Sequence, residues 1–113
     1  MEPQPGMFVL HRDTARFESD PDVPGSQMSE LVHDGPIWAG STRFVDAPEP
    51  MTWTPEQREV LVVMEGAVRI EFADGTDVSL GVGDAATIPA GLTTTWHVTT
   101  PFQEMWVLAE SGA

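Results

Sequence analysis

From residue 37 onward the chain reads as strand, and over residues 68–72 apolar and polar positions alternate every second residue, the period of a strand with one face buried. Val68, Ile70 and Phe72 alternate with Arg69 and Glu71, and Asp74-Gly75 follows, a strong hairpin dipeptide. Val78 and Leu80 continue on the return strand. Residues 38–45, 59–64, 85–88, 93–99 and 102–109 carry further apolar or β-branched runs. Breakers separate them: Asp46-Ala47-Pro48-Glu49-Pro50, Glu65-Gly66, Gly83-Asp84 and Pro89-Ala90-Gly91. Short strands punctuated by Gly and Pro predict an all-β fold, an antiparallel jelly-roll β-barrel. No amphipathic helix is predicted. Thr54-Pro55-Glu56-Gln57 reads as a helix start, with room for one turn before the next strand.

Residues 1–34 are irregular, with prolines at 3, 5, 21 and 24. Met7-Phe8-Val9-Leu10 and Ser29-Glu30-Leu31-Val32-His33 are the strand candidates there. The region is too poor in apolar residues to hold its own core, so it reads as an arm over a domain of residues 35–113. No internal repeat is present.

Composition removes several chemistries. The chain has 113 residues, and 41% are hydrophobic, with four Trp and five Phe, enough for one packed core. It has no Cys, Lys, Tyr or Asn, which excludes thiol and Schiff-base nucleophiles, disulfides and Cys-ligated metals. The net charge of −13 opposes nucleic acid and anionic membrane surfaces as partners. No stretch approaches the length of a membrane span, and Met1-Glu2-Pro3-Gln4-Pro5 lacks a signal-peptide pattern. A cytoplasmic location is expected.

The spacing of particular residues then becomes informative. Glu59 lies seven residues before Gly66; Gly83, Pro89 and Gly91 follow, with Trp96-His97-Val98 beyond. Over about residues 35–109 the chain resembles the cupin superfamily, and within it the small cupins similar to ureidoglycine aminohydrolase and the ethanolamine-utilisation cupin. Trp38, soon after Gly35, fits the same branch. The resemblance implies a cupin barrel, a homodimer and a small-molecule ligand. It also implies metal ligands: His at 53 and 55, Glu at 59 and His at 94. The chain has Trp53, Pro55, Glu59 and Thr94 there. One carboxylate and one hydroxyl do not hold a transition metal tightly, so neither a metal nor another cofactor is expected.

Strand alternation and the family pattern together line the expected pocket. Glu59 and Leu61 share one face, Thr94 and Trp96 another, and Glu104 and Trp106 a third. Trp38, Arg43, Met51 and Trp53 complete the set, with Arg43 as the expected partner of Glu59. Glu59 is the candidate acid or base, because a carboxyl among Trp side chains is desolvated and its proton affinity rises. Glu104 is a second candidate. Three functions follow: a metal-independent pocket for a small organic metabolite, foremost; a metal-free isomerase, lyase or cyclase using Glu59; or a non-catalytic accessory filled by its own Trp side chains.

Overall fold

The computed structural model describes residues 3–46 and 48–110. Met1 and Glu2 of the expected arm, Ala47 of the expected breaker and residues 111–113 of the expected domain lie outside that range. Eight strands form: β1 (Glu18–Ser19), β2 (Ser26–Asp34), β3 (Ile37–Phe44), β4 (Met51–Trp53), β5 (Arg58–Phe72), β6 (Asp77–Leu80), β7 (Ala85–Ile88) and β8 (Thr94–Ala109). The described residues contain no helix, and Thr54 to Gln57 form an irregular connection. The candidate strand at Met7–Leu10 does not form; Met7 makes an isolated bridge to Gln4. Residues 26–34, assigned to the arm by sequence, enter the sheet as β2, antiparallel to β3 with a bulge between Glu30 and Val32.

All pairings are antiparallel, in the order β1-β2-β3-β8-β5-β6, with β4 added to β8 and β7 to β5. This corrects the expected jelly-roll β-barrel: the sheet is not closed. Its path ends at β1 and β6, which do not pair with each other. β1 has two residues and β6 has four, three of them exposed, so neither offers a long ladder for closure. The sheet doubles over instead. β5 and β8 have 15 and 16 residues and pair along most of their length, with register shifts around Glu65. Each is long enough to carry different neighbours at its two ends. β3 and β7 flank one half of the pair; β4 and β6 flank the other.

Gly66 reads as a strand terminator and residues 93–99 and 102–109 as two separate runs, yet β5 runs through Gly66 and β8 through Pro101. Gly66 has a φ of 76°, and a Cβ there would strike the Pro101 carbonyl and lie 2.6 Å from the Thr99 carbonyl. A side chain therefore meets both the wrong backbone basin and a neighbouring strand. Gly66→Ala is expected to cost about 2–4 kcal/mol, more than ordinary left-handed strain alone. Chemical denaturation checks this; a loss below about 1 kcal/mol would show that the corner relaxes freely.

The core lies between the two halves. Phe44, Leu61, Val63, Phe102, Trp106 and Leu108 come from one, and Val68, Ile70, Leu80 and Trp96 from the other. Alternation places them on facing surfaces, and the same alternation carries Glu59, Thr94 and Glu104 inward with them.

Candidate functional site

An open cavity of about 360 Å³ adjoins this core. Trp38, Thr42 and Phe44 of β3 line it with Met51, Thr52 and Trp53 of β4. Glu59 of β5 and Trp96, Glu104, Trp106 and Leu108 of β8 complete the floor and walls. Asp20, Asp22, Val23 and Pro24, from the β1–β2 connection, also border it. The Asp20 side chain accepts from the Asp22 backbone N–H at 2.9 Å, fixing that turn.

Register explains how the polar groups meet. Glu59 pairs with Leu108, and Val63 with Glu104, on adjacent strands with their side chains on one face. Trp53 reaches Glu59 from β4: its indole N–H donates to Glu59 Oε1 at 2.7 Å. Trp96 Nε1 donates to Thr94 Oγ1 at 2.9 Å, and that hydroxyl donates to the Trp53 carbonyl at 2.7 Å. Thr94 is thus consumed in tying β4 to β8. Trp106 donates to Thr42 Oγ1 at 2.8 Å and meets Trp38 edge-on at 5.3 Å between ring centroids. Gly40 makes room for this ring, since a Cβ there would lie 3.1 Å from Trp106 Cζ2. Trp38 donates to Glu30 and stacks on His33 at 4.8 Å. All four indole N–H groups therefore have partners within the chain.

The two carboxyls differ in their support. Glu59 is 4% exposed and Glu104 is 6% exposed. Burial raises the Glu59 pKa, and the Trp53 N–H pulls it partly back. Burial raises the Glu104 pKa well above the ordinary carboxyl value, and the neighbouring Glu59 charge raises it further. Glu104 Oε2 is buried without a hydrogen-bond partner. Two interacting carboxyls in one cavity titrate as a pair.

Among the residues singled out by sequence, Trp38, Met51, Trp53, Glu59, Trp96, Glu104 and Trp106 are brought to this cavity. Leu61 and Thr94 are buried in the core beside it and do not line it. Arg43 lies elsewhere, which removes it as the partner of Glu59. Its Nε donates to Gln27 at 2.7 Å, and its guanidinium sits 4.1 Å from the Phe17 ring centroid. The reason is alternation: Thr42 faces the cavity, so Arg43 faces away. The same rule, applied outward from Trp38, identifies Thr42 and Phe44 as lining residues that sequence reasoning missed. The aspartates beside the cavity carry no comparable signal, because their position depends on how the β1–β2 connection folds.

The donor set does not fit a transition metal. Pro55 is fully buried and has no ligating atom, Trp53 presents an N–H already donated to Glu59, and Thr94 is occupied. Among the described residues, no group of three or more His, Cys, Asp or Glu side chains is arranged to hold a metal ion. His11 and His33 are exposed, and His97 pairs with Glu71 at 2.8 Å.

Comparison with known proteins gives a consistent assignment of fold. Residues 48–104 match the family model of the EutQ-like cupin domain. The EutQ protein of Clostridium difficile superposes with a TM-score of 0.66 at 20% identity, covering 93% of this chain and 83% of that one. KdgF from a Halomonas species gives 0.73 at 19% identity, over 90% and 92% of the two chains. An RmlC-like cupin from Shewanella frigidimarina gives 0.74 at 16% identity, over 91% and 90%. No curated protein matches the sequence.

Proposed function

Since the chain belongs to the EutQ-like cupin domain family, whose members generally bind small molecules, we propose that it binds a small organic metabolite without a metal, in the cavity walled by Trp38, Trp53, Trp96 and Trp106. The observation carrying this reading is that the four indoles border open space rather than filling it. Trp38 and Trp106 form the one Trp–Trp ring contact among the described residues, and 360 Å³ remains between the walls. That volume holds about a dozen water-sized groups and falls in the ordinary range of metabolite sites. Apolar walls with a few convergent polar groups are the usual composition of such sites. An accessory role with a Trp-filled interior is disfavoured by the same space.

A second reading has its own support. Glu59 is held in one orientation by the Trp53 N–H and has a raised proton affinity, as a general acid for metal-free isomerisation or elimination requires. It predicts that Glu59→Gln abolishes turnover once a substrate is known.

The ligand-binding reading is tested by thermal unfolding against a panel of neutral, cationic and anionic compounds of up to about a dozen non-hydrogen atoms, in a volume of this size. At least one chemical class is expected to raise Tm with saturating behaviour. A panel that leaves Tm unmoved contradicts it. Elemental analysis of purified protein is expected to find well under one equivalent of transition metal; a stoichiometric metal contradicts the metal-free reading.

A further inference from the structure

The residues lining the cavity include four acids, Asp20, Asp22, Glu59 and Glu104, and no Arg, Lys or His. Four arginines pair elsewhere: Arg12 with Glu65, Arg43 with Gln27, Arg58 with Thr87 and Arg69 with Asp77. The nearest histidine by contact, His33, is exposed and stacks on Trp38 beside Glu30. Among the described residues, no Arg, Lys or His lines the cavity beside the two buried carboxyls. Buried polar groups are ordinarily hydrogen-bonded, so an unpartnered carboxyl oxygen beside a cavity is available to bond what enters it. Glu104 Oε2 is such an atom, on a side chain 94% covered that borders the cavity.

Resting on the small-molecule reading above, we propose that the ligand is an organic cation, an amine or quaternary ammonium, seated with its charge against Glu104 and Glu59 and its apolar body against the Trp walls. A carboxylate beside a desolvated ammonium gains a charge-assisted contact far stronger than one made in water. Aromatic walls add to it, because the electron-rich face of an indole attracts cations. Asp20 and Asp22 place negative charge beside the same cavity and favour capture of a cation. An anion of the same size would be buried beside two carboxyls with no compensating base. A neutral ligand gains neither the charge-assisted contact nor the cation–indole attraction.

The cation also changes protonation. On binding, it stabilises the ionised carboxyls, so a proton leaves the pair. Affinity therefore falls as pH drops and the pair takes up protons more firmly.

Isothermal calorimetry with matched probes tests this. Choline is compared with its uncharged carbon isostere 3,3-dimethylbutan-1-ol, and benzylamine with benzyl alcohol and benzoate. Each cation is expected to bind at least about tenfold more tightly than its neutral match at pH 8, a difference of about 1.4 kcal/mol. Choline, whose charge does not titrate, is expected to weaken at pH 5 and to release a proton on binding, read from heats in two buffers. Glu104→Gln is expected to reduce the preference for the cation to within about threefold, under 1 kcal/mol. Glu59→Gln serves the same purpose if the first variant does not fold. Equal or tighter binding of the neutral isostere or of benzoate overturns the proposal and leaves the ligand-binding reading standing. Failure of both cations to bind also overturns it. The broader reading falls separately, only if the wider panel leaves Tm unmoved.

Discussion

Trp106→Ala is expected to destabilise the fold by about 3–5 kcal/mol, the cost of deleting a large buried aromatic side chain. The indole is 6% exposed, belongs to the main core, and meets the edge of Trp38. Its N–H also supplies the donor for Thr42 Oγ1. Removing it deletes apolar burial, leaves Thr42 without that donor and enlarges an existing cavity that the surrounding strands cannot close. β5 flanks β8 on one side and β3 on the other at this level, with Leu61 and Gly40 directly opposite. Collapse would therefore require three strands to move. For a domain whose total stability is on the order of 5–15 kcal/mol, the loss is large, and Tm should fall by more than about 10 °C. Trp106→Phe, which keeps most of the ring and loses the donor, should cost clearly less. Similar losses for the two variants would show that the hydrogen bond, rather than the packed ring, carries the effect.

The second large effect is an inverted pH dependence at the carboxyl pair. Both groups have an ordinary pKa of 4.5, and both are raised in the fold, Glu104 well above that value. Below about pH 4 the pair is protonated in folded and unfolded chains alike, and its contribution is fully present. Above the ordinary value the unfolded chain has released protons that the folded chain still holds. Stability is then lost as pH rises toward and through the folded pKa values, by about 1.4 kcal/mol per pH unit for each proton held. Most acid-sensitive proteins show the opposite trend, because their carboxylates are stabilised as anions in the fold. General repulsion in a chain of net charge −13 acts in the same direction, so a difference between variants isolates the pair. Glu104→Gln cannot ionise. Its stability relative to the parent, followed by urea denaturation from pH 4 to pH 8, is expected to improve steadily with pH. A difference that stays constant over this range would contradict an ionisable, desolvated Glu104.

Much of this site is legible in period-two alternation. Glu59 fixes the inward face of β5, and Glu104 and Trp106 share the inward face of β8, as alternation requires. Trp53 follows from a position where a cupin of the usual type carries a ligand, and Trp38 from its place soon after Gly35. Closure of the sheet is not legible. It depends on whether end strands pair, and β1 and β6 are too short for their sequences to specify partners. Continuity through Gly66 and Pro101 is equally hidden, since glycine and proline mark strand ends and strand corners alike. β2 reads weakly because its strand pattern is interrupted by the bulge at Glu30 and Val32. Arg43 shows the reverse failing: charge complementarity with Glu59 suggests an ion pair, yet Thr42 faces the cavity and Arg43 therefore faces away. A strand's facing is fixed by the pleat, and an attractive ion pair does not turn one side chain through the sheet.

The exposed acidic residues play a different part from the buried pair. Asp74, fully exposed in the β5–β6 hairpin, has its pKa lowered by the Thr76 hydroxyl and by the Thr76 backbone N–H, so it stays ionised and orders the turn. Glu71 joins His97 and Arg69, and Arg69 also reaches Asp77, on the outer face. Such surface pairs contribute little individually. The acidic groups with chemical consequence are Glu59 and Glu104, where no Arg, Lys or His among the described residues lines the cavity.

The central claim is that the space among the Trp side chains is a ligand site. The four indole N–H groups report on it directly, and with four Trp in the chain each gives one resolvable signal in a ¹⁵N–¹H spectrum. Titration with the compounds that raise Tm should shift the signals of Trp38, Trp53, Trp96 and Trp106 in a common saturating curve, while the backbone signals of the β5–β6 hairpin at Asp74 and Gly75 stay in place. Compounds that bind yet leave all four indole signals unmoved would place the ligand elsewhere and contradict the account.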